Sequence, residues 1–179
     1  MRTAPAAALF FILSLIAVSA EQPASSVKVG AFTFALPEGW KSVTPSSAMR
    51  KAQLEITQGS DKAEVTFFQF GAGEGGSVAD NVARWFAQFP GSDDKRKSET
   101  VQAGSVKITY VTTEGTFSSG IPGGPTAPMS GYALCGAILE SADGSVFIKM
   151  TGPEAVVKSS TEAFKKMVSE AAKQAAPRA

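Results

Sequence analysis

The sequence predicts an α+β fold: a mainly antiparallel β-sheet of about six to seven strands flanked by two amphipathic helices. Three observations carry this. Strand-length segments of alternating apolar and polar residues follow one another through hairpin-type connections. Two segments change to the helical period. The elements order as β-β-β-α-β-β-β-β-α, which lacks the regular strand–helix alternation of a parallel sheet.

The first strand is residues 27–36 (VKVGAFTFAL), with Val27, Val29, Phe32 and Phe34 inward and an irregularity near Gly30. Pro37 to Trp40 (PEGW) is a turn, and 41–47 (KSVTPSS) is a loop in which Pro45 discourages regular structure. Residues 49–56 alternate again: Ala52, Leu54 and Ile56 face in, between Lys51, Gln53 and Glu55. Such a strand lies at an edge or has one wet face. TQGSDK (57–62) turns the chain into 63–70 (AEVTFFQF), where Val65, Phe67 and Phe70 face the core.

Val78, Val82, Trp85, Phe86 and Phe89 then fall on one helical face. Ser77 is the N-cap, with Asp80 placed as in a capping box, and Pro90-Gly91 ends the helix. Two strands follow, 98–103 and 105–117, split at Gly104. Ser118 to Gly131 (SSGIPGGPTAPMSG) is a long Gly/Pro-rich loop. Residues 132–140 and 145–151 are two more strands joined by a hairpin at Ser141 to Gly144. The first of these is apolar on both sides around Cys135 and is therefore central. The last helix has Pro153 at its first position and an apolar stripe of Val156, Ala163, Phe164, Met167, Val168 and Ala171. Glu154 and Lys173 suit the two ends of its dipole.

The N-terminus has the pattern of a secretory signal peptide over residues 1–20. Arg2 precedes an apolar run from Ala6 to Val18, and Val18-Ser19-Ala20 offers small residues before a cut. The run is shorter than the roughly 20 residues of a membrane span. An uncleaved anchor is the alternative, and the absence of cysteine at the cut argues against a lipid anchor. Residues 21–26 are a flexible lead-in, 27–173 a single domain, and 174–179 a frayed tail. The expected destination is the periplasm or the cell exterior. Without Arg2, basic and acidic residues balance, which argues against nucleic acid as a partner. A single cysteine excludes an internal disulfide. Cys135, in an apolar run with no nearby positive charge in sequence, reads as a small buried hydrophobe.

The chain contains no histidine, which removes Ser-His and Cys-His nucleophile systems and the usual zinc sites. Gly71, Gly73 and Gly76 form a literal G-x-G-x-x-G between a strand and a helix. A dinucleotide cradle needs a parallel return strand, and Glu74 inside the loop repels phosphate. The glycines read as a tight bend, so no cofactor, no metal and no catalytic residue is assigned. Four residues are candidate contacts to a partner. Trp40 is a loop aromatic whose plainer role is local packing. Arg50 is a cation suited to an anionic partner. Ile121 and Met129 are the apolar side chains of the long loop.

The segments FTFALPEGW (32–40), PSSAMRKAQLEI (45–56), GGSVADNVARWFAQF (75–89) and IKMTGPEAVV (148–157) resemble, in that order, exported bacterial proteins with a PsbP/Mog/DcrB-like α/β sandwich. The resemblance spans most of 27–173. It implies an antiparallel sheet flanked by helices and a role in binding or scaffolding, and none of its segments is a catalytic motif. The expected function is an exported, non-catalytic binding or adaptor module for a protein or another envelope component. The alternatives are an exported hydrolase using carboxylates or a hydroxyl–lysine pair, or an apolar-ligand carrier lined by some of the twelve phenylalanines.

Overall fold

A computed structural model describes residues 25–119 and 127–175. The elements are β1 (Ser26–Val29), β2 (Phe32–Ala35), β3 (Lys41–Val43), β4 (Ala52–Gln58), β5 (Asp61–Phe70), α1 (Val78–Ala87), β6 (Lys97–Ala103), β7 (Val106–Phe117), β8 (Met129–Ser141), β9 (Gly144–Pro153) and α2 (Glu154–Ala175). Strands β3 to β9 form one seven-stranded sheet in the order β3-β4-β5-β9-β8-β7-β6, and β1 and β2 form a separate hairpin. Every neighbouring pair is antiparallel. The α+β class and the antiparallel sheet with two helices are therefore as the sequence implies.

The two faces of the sheet carry different cores. On the first, α2 and the β1–β2 hairpin cover Leu54, Val65, Phe67, Cys135, Ile148 and Met150 with Phe32, Phe34, Phe164 and Val168. The Phe34 and Phe67 rings meet at 5.2 Å, and Gln58 and Ser159 join β4 to α2 by hydrogen bonds. The second face holds Val111, Leu134, Ile138 and Phe147 under Trp85 and Phe89. Here α1 is the crossover from β5 to β6, so it lies over the strands between them, and among the described residues no helix covers the β4–β5 side of this face.

Close approach fixes that helix. A methyl group built on Gly136, in β8, would overlap the six-membered ring of Trp85. Trp85 is thus core, as its place in the stripe implies. Gly136→Ala is expected to lower unfolding free energy by about 1–3 kcal/mol, because the ring must shift or leave a well-packed site. Urea denaturation followed by tryptophan emission measures this. At the start of α1, the Asp80 amide donates to Ser77 Oγ at 3.0 Å, the cap that the sequence announces.

Cys135 is fully buried between sheet and α2, and burial pushes its thiol up to about 12. Little thiolate forms at neutral or mildly alkaline pH. An aromatic disulfide reagent is expected to leave the native protein unlabelled and to react promptly once denaturant is added. Rapid native labelling would show an accessible thiol.

Several sequence expectations need correction. Residues 27–36 are not one strand. Gly30 takes φ +58°, a left-handed turn that glycine adopts without cost, and the chain doubles back so that Val29 pairs with Phe32. A two-residue turn keeps the alternation in phase, so the hairpin presents one apolar face and reads as a single strand. Pairing begins at Ser26, within the expected lead-in. Residues 41–43, read as loop, form the edge strand β3 against Gln53–Glu55; backbone pairing defines it, with little apolar signal. Phe70 faces away from Phe67 and packs edge-on against Phe147 in the second core, at 5.4 Å. Pro153 ends β9 opposite Tyr132 and α2 starts one residue later. Ala163 is only half-buried, and α2 continues to Ala175, which packs against the first core. The strand holding Cys135 lies inside the sheet, and β4 has one wet face.

Candidate functional site

The uncovered part of the second face is a cleft of about 770 Å³. Its floor is the outward-facing row of β4, β5 and β9: Gln53, Glu64, Phe68, Lys149 and Thr151. Ser46, Ser47, Met49 and Arg50, between β3 and β4, make one rim, and the large apolar side chain of Met49 is 67 % exposed. Phe117, Ser119, Met129 and Tyr132 make the other, at the two roots of the long loop. The Phe117 and Tyr132 rings stack at 6.1 Å and close the apolar wall.

The charges in the cleft are unevenly paired. Arg50 Nη1 donates to Glu64 Oε2 at 2.8 Å and to Gln53 Oε1 at 3.0 Å, and Gln53 Nε2 donates to the same Glu64 oxygen at 2.7 Å. Lys62 pairs with Glu55 at 2.9 Å, and this contact helps hold the Glu55 carboxyl below its ordinary range. Lys149 forms no ion pair among the described residues. Its Nζ donates to Gln88 Oε1 at 3.1 Å and lies 5.9 Å from the centre of the Phe117 ring. Burial pushes the Lys149 ammonium down to about 8; Glu64 pulls it back up, and Arg50 adds to the lowering. Two residues further along β9, Thr151 Oγ1 is buried with no hydrogen-bond partner among the described residues.

Gln88, just after α1, ties these parts together. Besides accepting from Lys149, its Nε2 donates to the Ser119 carbonyl at 3.1 Å, and its own carbonyl accepts from the Ser118 amide at 2.8 Å. The end of α1, the root of the long loop and the Lys149 ammonium are thereby held in one network.

Of the four residues singled out by sequence, Arg50 and Met129 line the cleft. Arg50 is engaged with Glu64 and Gln53. Trp40 is half-buried against the first core, on the other side of the sheet. Ile121 lies outside the described residues, as does the expected signal peptide. Sequence reading missed Lys149, Thr151, Glu64 and Gln88. A usable signal was present: Val146, Ile148 and Met150 point one way along β9, so Phe147, Lys149 and Thr151 must share the other face, apolar at one end and polar at the other.

The glycine run makes a tight bend between β5 and α1. Gly73, Gly75 and Gly76 take positive φ, and Glu74 Oε2 turns back to accept from the Gly71 amide at 3.1 Å, placing a carboxylate inside the bend. Asn81 fastens the same bend through the Gly75 and Ser77 carbonyls. Among the described residues, no group of three or more His, Cys, Asp or Glu side chains is placed to hold a metal ion, and no helix is long and apolar enough to cross a membrane.

No protein-family model and no curated protein sequence matches the chain. Among solved structures it is similar to LpqN of Mycobacterium tuberculosis, described as involved in cell envelope biogenesis. The TM-score is 0.48 at 10% identity, over 84% of this chain and 84% of that one. It is also similar to PA94 of Pseudomonas aeruginosa, a protein of unknown function, with a TM-score of 0.44 at 13% identity over 87% of this chain and 98% of that one. At these values neither likeness says what this chain does.

Proposed function

We propose that the chain is an exported binding module whose ligand site is the cleft between the β3–β4 rim and the roots of the long loop. One observation carries this: among the described residues, the second face holds a partly buried lysine without a counter-ion beside a ligand-sized space. Unsatisfied buried polar groups cost stability, and a bound molecule supplies the missing partners. The size suits a small molecule or a projecting end of an envelope component, rather than a broad protein face. Export rests on the leader pattern of residues 1–20, and membership of the PsbP/Mog/DcrB-like group rests on the order of the four resembling segments.

The test is retention. Purified protein is incubated with an envelope extract and washed, and bound small molecules are identified by mass spectrometry. The wild type is expected to keep at least one species that Met129→Trp, which fills the cleft from its rim, releases while melting normally. Equal retention by both proteins, or none by the wild type, refutes the site.

One observation favours a second reading, the hydroxyl–lysine hydrolase. A lysine brought down to about 8 has the basicity of a general base at neutral pH. That reading requires turnover of a simple ester that disappears in Lys149→Met.

A further inference from the structure

Resting on the reading of the cleft as a binding site, we infer that its ligand is a small amphiphilic carboxylate, with the anionic head against Lys149 Nζ and an apolar arm along Phe117, Tyr132, Met129 and Met49. The charged and titratable groups lining the cleft are Arg50, Glu55, Lys62, Glu64, Tyr132 and Lys149. Each carboxylate already has a cation: Glu64 has Arg50 and Glu55 has Lys62. The uncompensated positive charge therefore belongs to Lys149.

An ammonium offers three donors, and among the described residues one of them is filled, through Gln88. The ammonium also lies over the face of Phe117, 5.9 Å from the ring centre. A carboxylate is acceptor-only and forms charge-assisted bonds with an ammonium, so it is the chemical complement of what remains.

The remainder of the ligand is set by the wall. Phe117, Tyr132 and Met129 are contiguous on one rim, and Met49 stands exposed on the other. Methionine on both rims, Met129 beside the stacked rings and Met49 across from them, offers an adaptable apolar surface to a flexible chain. A purely polar anion leaves this wall wet, and a neutral apolar chain leaves the lysine unpaired. Binding also needs the ammonium charged. Titration of Lys149 near 8 therefore makes affinity fall as pH rises.

The test compares octanoate with octanol by isothermal titration calorimetry, on the wild type, Lys149→Met and Lys149→Arg. At about pH 6.5 the wild type is expected to prefer octanoate by about tenfold or more, a preference for the charged head that Lys149→Met loses. At about pH 9.5 the wild-type preference collapses, while Lys149→Arg keeps it because a guanidinium stays charged. Equal affinity for octanol and octanoate at the lower pH overturns the inference, as does a preference that survives in Lys149→Met. Binding of neither probe also overturns it. Failure of the cleft itself reads differently, as an envelope species retained equally by the wild type and Met129→Trp.

Discussion

Lys149→Met is expected to make the protein more stable at neutral pH, by about 1–3 kcal/mol. In the unfolded chain this lysine has its ordinary value of 10.5, and in the fold burial brings it down to about 8. Below about 8 both states carry the proton and the full cost of holding a desolvated ammonium is present. Between about 8 and 10.5 the unfolded state binds the extra proton, so wild-type stability climbs with pH. The whole shift amounts to about 3 kcal/mol. Methionine keeps most of the side chain's volume and removes the charge, at the loss of the Gln88 hydrogen bond. Urea titrations of both proteins from about pH 7 to about pH 10.5 should show the variant ahead at the low end and the gap closing at the high end. A variant less stable at neutral pH would sink the claim that this ammonium is desolvated without compensation. A cation that weakens its own fold points to work in the cleft, which is why this measurement bears on function.

Phe164→Ala is expected to cost about 3–5 kcal/mol. Phe164 is completely buried where α2 meets the sheet, within the core that also holds Phe34, Phe67, Cys135 and Met150. The substitution removes the ring's transfer free energy and leaves a void that helix, hairpin and sheet can fill only by moving together. The midpoint of urea denaturation should fall with little change in slope. A loss below about 1 kcal/mol would mean that α2 can settle onto the sheet without that ring.

Much of this architecture is legible in the chain because one-sided burial writes itself as periodicity. Leu54 and Ile56, Val65 and Phe67, and the stripe of α2 each mark the face they bury. The Ser77 cap and the Ser141–Gly144 turn are local and equally readable. Three things are not. The Gly30 turn hides because a two-residue hairpin preserves the phase of its flanks. Strand β3 hides because it is held by backbone pairing, which leaves little trace in side chains. The cleft hides because it depends on where α1 comes to rest. Lys149 and Thr151 look like ordinary wet-face residues until the Trp85–Gly136 contact parks the helix over β8 and leaves the neighbouring strands uncovered. Arg50 was visible as a cation, but its engagement with Glu64 joins the β3–β4 connection to β5. Lys149, the cation without such a partner, was the one that composition could not single out.

The seam between β5 and β9 has a kinetic consequence. The sheet is two meanders, β3-β4-β5 and β6-β7-β8-β9, each built by joining neighbours in sequence. A single register, with Thr66 and Lys149 lying 83 positions apart, zips them together. Each meander can gather locally at small loop-closure entropy, whereas the seam must close a far longer loop. Truncations in the β6–β7 hairpin should therefore slow refolding, whereas shortening side chains at Val65 or Ile148 should mainly hasten unfolding. The cleft floor straddles that seam, so it is assembled only at the end of the journey.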